Sequence, residues 1–169
     1  MIYTQRHWEI SEDEADLTDL NKKCMATVKG FASDYDYKVE QNKSTISDPR
    51  VQSDVFRYHL AQNNPDAIWV DNDVEMLEDF KSIIEPGAPY TDFRKGNPHN
   101  AIIIVNGCCE FFESLEKERK KRGIELNTLA LVSKLLRRHK DFVRQIPDEM
   151  FIHHFASSIK TIKLRTGAQ

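Results

Sequence analysis

Apolar residues recur along this chain mostly at intervals of three or four, the spacing that buries one face of a helix. Leu17, Leu20, Cys24, Val28 and Phe31 follow Ser11, which with Glu14 three residues on makes a capping box, so a helix is predicted from Ser11 to about residue 33. Asp48-Pro49 opens a second helix, with Pro at its first position, and Asn63-Asn64-Pro65 stops it. Val74, Leu77, Phe80 and Ile84 place a third from Asp73 to Ile84, ended by Pro86-Gly87. The link from Glu85 to Gly96, with two Pro and two Gly, reads as a long contact-making loop.

After Asn97-Pro98 the residues Ala101 to Val105, Cys108, Cys109, Phe111, Phe112 and Leu115 are apolar nearly all round, which predicts an enclosed central helix over 98–115. Its charged extension, Glu116 to Arg122, ends at Gly123. Asn127 caps a further helix carrying Leu129, Val132, Leu135, Leu136, Phe142 and Val143, and Pro147 starts a last one with Met150, Phe151, Phe155, Ile159 and Ile162. About six helices with short links predict an all-α fold, a compact bundle or orthogonal array around the central helix. The expected organisation is an N-terminal extended segment, 1–10, whose Ile2 to Ile10 stretch is β-capable, followed by one helical domain, 11–166.

Composition fits a globular chain: of 169 residues, 40% are apolar and 30% charged. Without an apolar run of membrane-spanning length or a secretory leader pattern, the expected setting is intracellular, cytoplasmic or nuclear, with no membrane partner. Cys24, Cys108 and Cys109, odd in number with two adjacent, read as reduced buried thiols. The net charge of −3 hides an asymmetry, because residues 1–100 are acidic on balance and residues 101–169 basic.

The basic excess concentrates in Lys117, Arg119, Lys120, Lys121, Arg122, Lys134, Arg137, Arg138, Lys140 and Arg144. If their helices fold against each other, these residues form one positive surface for phosphates; without interleaved aromatics, the contact would be to the backbone of a nucleic acid. A solvated helical face with basic C-terminal turns explains the same residues equally well.

Two short patterns suggest metal chemistry. Asp66, the apolar Ala67 to Val70, then Asp79-Phe80-Lys81 resemble the PD-(D/E)xK nucleases, a likeness that implies carboxylates of Asp66 and Asp79 on a metal and Lys81 beside the attacking water. A capped amphipathic helix from Asp73 fits these residues better. Asp71-Asn72-Asp73-Val74-Glu75 looks like half a calcium loop, but Met76 stands where Gly is required and Ser82 where the bidentate Glu belongs. The six histidines show no spacing that sets two rings on one helical face, so neither a metal nor another cofactor is expected. The preferred reading is a non-enzymatic helical interaction or assembly domain, binding a protein partner or itself as a homodimer. Nucleic-acid binding through the helices of 117–144 and the metal-dependent nuclease stand as alternatives.

Overall fold

The structure, a computed structural model, describes residues 2–6, 18–40, 49–122 and 131–154. It is an α/β fold, not the expected all-α bundle. In chain order the elements are β1 (Ile2–Arg6), α1 (Asp19–Phe31), β2 (Asp36–Glu40), α2 (Pro49–Asn63), β3 (Ala67–Asp71), β4 (Val74–Met76), β5 (Tyr90–Arg94), β6 (Asn97–Ile104), α3 (Cys109–Lys121), α4 (Leu131–Leu136), β7 (Arg144–Gln145) and β8 (Phe151–His153). Six strands form one mixed sheet in the order β2-β1-β3-β6-β5-β7, and β4 pairs with β8 in a separate two-stranded ribbon. Strand β1 runs parallel to both β2 and β3, whereas β6 lies antiparallel to β3 and to β5.

The predicted central helix is where the reading of the sequence fails most instructively. Residues 97–104 are a strand, a turn with left-handed backbone at Asn106 and Gly107 follows, and the helix begins only at Cys109. An unbroken apolar run suits a strand covered on both faces as well as it suits an enclosed helix, and three Ile and a Val in succession favour the strand. Ile102 and Ile104 enter one core with Val28, Ala32, Phe80 and Met150, while Ile103 and Val105 enter a second core with Tyr58, Phe112, Leu115 and Leu135. Strand β3 divides in the same way, Ile68 and Val70 to the first core and Ala67 and Trp69 to the second. The sheet is therefore a middle layer, with α1 and the β4–β8 ribbon on one side and α2, α3 and α4 on the other.

Other expectations are corrected too. Residues 73–84 are not a helix: Val74–Met76 is a strand and Phe80–Ile83 a short 3-10 turn with Phe80 fully buried and Leu77 exposed. The expected loop of residues 85–96 contains β5. The helix expected from Asn127 through Val143 covers only Leu131–Leu136 before a 3-10 turn, and the one expected from Pro147 is a 3-10 turn leading into β8. Strand β4 pairs with β8, which lies far along the chain, so local spacing does not reveal it. The Ser11 cap, the Asn127 cap and the apolar positions Phe155, Ile159 and Ile162 lie outside the described residues.

Helix α2 and the charged half of α3 form where the pattern places them, and α1 forms within the expected range but begins at Asp19. Thr18 caps α1 by accepting the Asn21 N–H at 3.1 Å. Among the described residues, no helix is long and apolar enough to cross a membrane.

Candidate active site

Parallel strands leave a crevice beyond their C-terminal ends, where the chain departs into loops, and polar groups gathered there are the usual ligand-binding elements of open α/β sheets. Strand β3 ends at Asp71, and Asn72 and Asp73 turn the chain into β4. The register that sets Val70 opposite Ile102 brings the first half of β6, with His99 and Asn100, beside that end. Val74 opposite His153 brings β8 in from the other side.

Asp71 is held by two side chains. The Arg57 guanidinium of α2, itself buried, lies 3.2 Å from Oδ1 through Nη2, and Trp69 donates its indole N–H to the same oxygen at 2.8 Å. Arg57 also stacks over the Trp69 ring and donates to the Asn100 carbonyl, tying α2 to β3 and β6. Burial outweighs the guanidinium and pushes the Asp71 carboxyl up to about 6.

Asp73 is fixed through its backbone, whose carbonyl accepts the His154 N–H at 2.9 Å, and its Oδ1 lies 3.3 Å from Nε2 of His153. Burial disfavours the charged His153 ring, but the hydrogen bond to Asp73 and the charges of Asp73, Asp71 and Asp92 outweigh it, so its pKa lies above the ordinary value. Asn72, between the two aspartates, has its backbone carbonyl held by the Asn21 side chain at 3.1 Å. Its own Oδ1 is buried with no hydrogen-bond partner among the described residues. Three carboxylates, of Asp71, Asp73 and Asp92, are thus buried near the His153 and His99 imidazoles and the Arg57 guanidinium, an acidic cluster whose chemistry suits a cation.

Flanking it, Glu75 binds Lys23 at 2.8 Å and His154 at 3.1 Å, and these hydrogen bonds hold its carboxyl below the usual range. Cys24 is a poor nucleophile, because burial and then the nearby Glu75 and Asp73 charges push its thiol up to about 12. Burial likewise raises the thiols of Cys108 and Cys109, which are half-buried at the start of α3 and not within an apolar helix.

The sequence-predicted site residues are dispersed. Asp66 is exposed ahead of β3, Asp79 accepts the Lys81 N–H to cap a 3-10 turn, and Lys81 extends over the Tyr35 ring. Strands β3 and β4 pair with β6 and β8 and not with each other, so the hairpin implied by the nuclease resemblance is absent. In the basic tract, Arg119 and Lys120 meet Glu116, Arg122 and Arg138 meet Glu118, Lys117 faces Glu113, and Arg144 pairs with Glu85. Lys121, Lys134, Arg137 and Lys140 are exposed.

The site residues that spacing did not bring together are Asp92, His99 and His153, which come from three strands far apart in the chain. Asp71-Asn72-Asp73 was the legible part. Alternate carboxylates directly after the strand-capable Ala67 to Val70 fit a β-strand end as well as a helix cap.

No protein-family model matches the chain, and no curated protein does. Among solved structures it is similar to a glycosyltransferase involved in the glycosylation of the major capsid of PBCV-1, at 13% identity and a TM-score of 0.56, over 90% of this chain and 92% of the other. It is also similar to the apo-form glycosyltransferase GlyE of Streptococcus pneumoniae TIGR4, at 12% identity and a TM-score of 0.53; the match takes in 87% of this chain and 45% of that one. The likeness shows the fold, that of glycosyltransferases. It overturns the expectation of an all-α interaction or assembly domain.

Proposed function

We propose that this chain is a glycosyltransferase domain that binds a sugar donor activated as a nucleoside diphosphate, at a divalent-cation site formed by Asp71, Asp73 and His153. The observation that carries the reading is the buried acidic cluster at the C-terminal end of β3, in a fold shared with glycosyltransferases. The ligand types suit a cation such as Mn2+, two carboxylates for oxygen ligands and an imidazole, with Nε2 of His153 3.3 Å from Asp73. When bound, such a cation supplies positive charge against the diphosphate that leaves the sugar.

The protein's own groups do the rest. Arg57 and Trp69 keep the Asp71 carboxylate facing one way, and the β8 backbone does the same for Asp73. The buried Asn72 Oδ1 is an acceptor that a donor hydroxyl would satisfy.

The test is to incubate the purified chain with a panel of nucleoside-diphosphate sugars, with and without Mn2+. Donor binding is followed by ligand-observed NMR and donor cleavage by release of the nucleoside diphosphate. Cation-dependent binding and slow cleavage of at least one donor are expected; no binding of any donor in the presence of Mn2+ would overturn the reading.

The proton on Asp71 competes with the cation. That carboxyl titrates at about 6, and the His153 ring, which must also give up a proton to ligate, titrates above its ordinary value, so Mn2+ affinity is expected to fall as the pH drops through the neutral range and to fall more steeply below about 6. Calorimetric titration of Mn2+ from about pH 5 to about pH 8 measures this. A flat profile would show that Asp71 is not a ligand.

A further inference from the structure

A second donor set lies on the other side of His153. Asp92 occupies the irregularity where the β5–β6 register shifts between Thr91 and Phe93, and such bulges re-aim a side chain. Its Oδ1 accepts the Ile102 N–H at 3.0 Å inside the interrupted ladder, which leaves Oδ2 facing away from the sheet backbone. Nδ1 of His99 lies 2.9 Å from Oδ2, and Nδ1 of His153 lies 4.0 Å from it. One ligand atom from each of the three residues falls within 4.8 Å of the others. With metal–ligand bonds near 2.0–2.2 Å, the donors of a tetrahedral zinc ion stand about 3.3 Å apart, so small side-chain rotations close this set on one ion.

We propose that Asp92, His99 and His153 form a separate binding site for a zinc-class ion, one that competes with the Asp71–Asp73 cation for His153. Two imidazole nitrogens and one carboxylate oxygen select a borderline metal such as Zn2+ or Co2+ over Mg2+, and three protein ligands leave a fourth position for water. Asp73 completes the arrangement, because its carboxylate 3.3 Å from Nε2 accepts the hydrogen bond of the remaining ring N–H and orients the ring, as outer carboxylates do for metal-bound histidines.

The competition follows from the ring itself. A neutral imidazole has one lone pair: with Nδ1 on an ion, Nε2 carries the proton and donates to Asp73; with Nε2 on an ion, Nδ1–H faces Asp92. His153 thus serves one ion at a time. Binding of zinc at the Asp92 side stands independently of sugar transfer, and only the competition rests on the role proposed for His153 above.

Calorimetric titration of Zn2+ into the metal-free chain decides the site. One equivalent is expected to bind, His99→Ala and His99→Gln are each expected to weaken it by more than about tenfold, and Asp71→Asn to leave it unchanged. A Cys108→Ser/Cys109→Ser variant is expected to bind as the unaltered chain does. Equal affinity in both His99 variants, or loss of binding in the cysteine variant, would overturn the site. For the competition, Zn2+ is expected to inhibit Mn2+-supported donor cleavage in the unaltered chain, and in His99→Ala to inhibit it only at concentrations more than about tenfold higher, each variant being compared with its own zinc-free rate. Zinc that binds through His99 yet leaves cleavage untouched overturns the competition and keeps the site. A chain that cleaves no donor at all still yields the zinc titration, so failure of the sugar-transfer reading is distinguishable.

Discussion

Replacing Asp73 with Asn is expected to lower cation-dependent donor cleavage by about a hundredfold to ten-thousandfold while leaving the fold intact. The size follows from the several kcal/mol that a bound cation contributes against transition-state charge, at about 1.4 kcal/mol for each factor of ten. Asn keeps the shape of the side chain and the backbone carbonyl that accepts the His154 N–H, so β4 and β8 stay joined. What it removes is the charge beside Nε2 of His153 and half of the carboxylate pair. The comparison should be made on saturating donor, with Mn2+ affinity measured in parallel. Cleavage retained in the Asn variant at the level of the unaltered chain means the cation pocket is not where the sugar donor reacts.

The second large effect belongs to Arg57, whose loss strands Asp71. Breaking a buried pair by removing one partner costs about 3–5 kcal/mol, because the remaining charge keeps its burial and loses its compensation. Arg57→Met, which retains the apolar stem over Trp69, is expected to lower stability by that amount in urea unfolding at pH 8. Two controls identify the cause. In an Asp71→Asn background the same change should cost markedly less, which a double-mutant cycle reads directly. Lowering the pH should shrink the deficit. Asp71 titrates at about 6 in the folded protein, above the ordinary carboxyl value, so the folded state holds the proton more tightly and its burial penalty disappears as the pH falls through 6. Loss of Arg57 raises that pKa further and widens the window. A deficit independent of both pH and residue 71 would assign the loss to packing or to the Asn100 contact.

The helices that depend on their own sequence were legible: Pro49 begins α2, the amphipathic spacing of Cys24 and Val28 survives in α1, and Glu116 to Lys121 are helical. Strands were not, because both faces of β3 and β6 are covered and a strand buried on both sides has no polar alternation to show. Val74, Leu77 and Phe80 fell at helical intervals by coincidence, and only the pairing of β4 with β8 decides their conformation. The chemistry divides in the same manner. Asp71 and Asp73 are neighbours in the sequence, so their joint action was visible in outline; His153 and Asp92 reach them only through the register of four strands. The basic tract misled for a different reason: the acidic partners Glu116 and Glu118 lie within it and Glu85 far outside it, and proximity in charge counts says nothing about ion pairing.

Strand β1 has a consequence for the order of events during synthesis. Its Ile2 pairs with Asp36 on one side and with Ala67 on the other, so the strand sits inside the sheet although both neighbours are translated after it. At ribosomal speeds several seconds separate its emergence from that of β3. Throughout that interval the segment waits with unpaired N–H and C=O groups, a ready template for another chain. Non-local pairing of this kind also slows refolding, since loop closure must precede the contacts that reward it. The arrival of β3, whose last residue is Asp71, ends that wait: the strand that fills the second edge of β1 also delivers the first carboxylate of the site, with Asp92 and His153 following on β5 and β8.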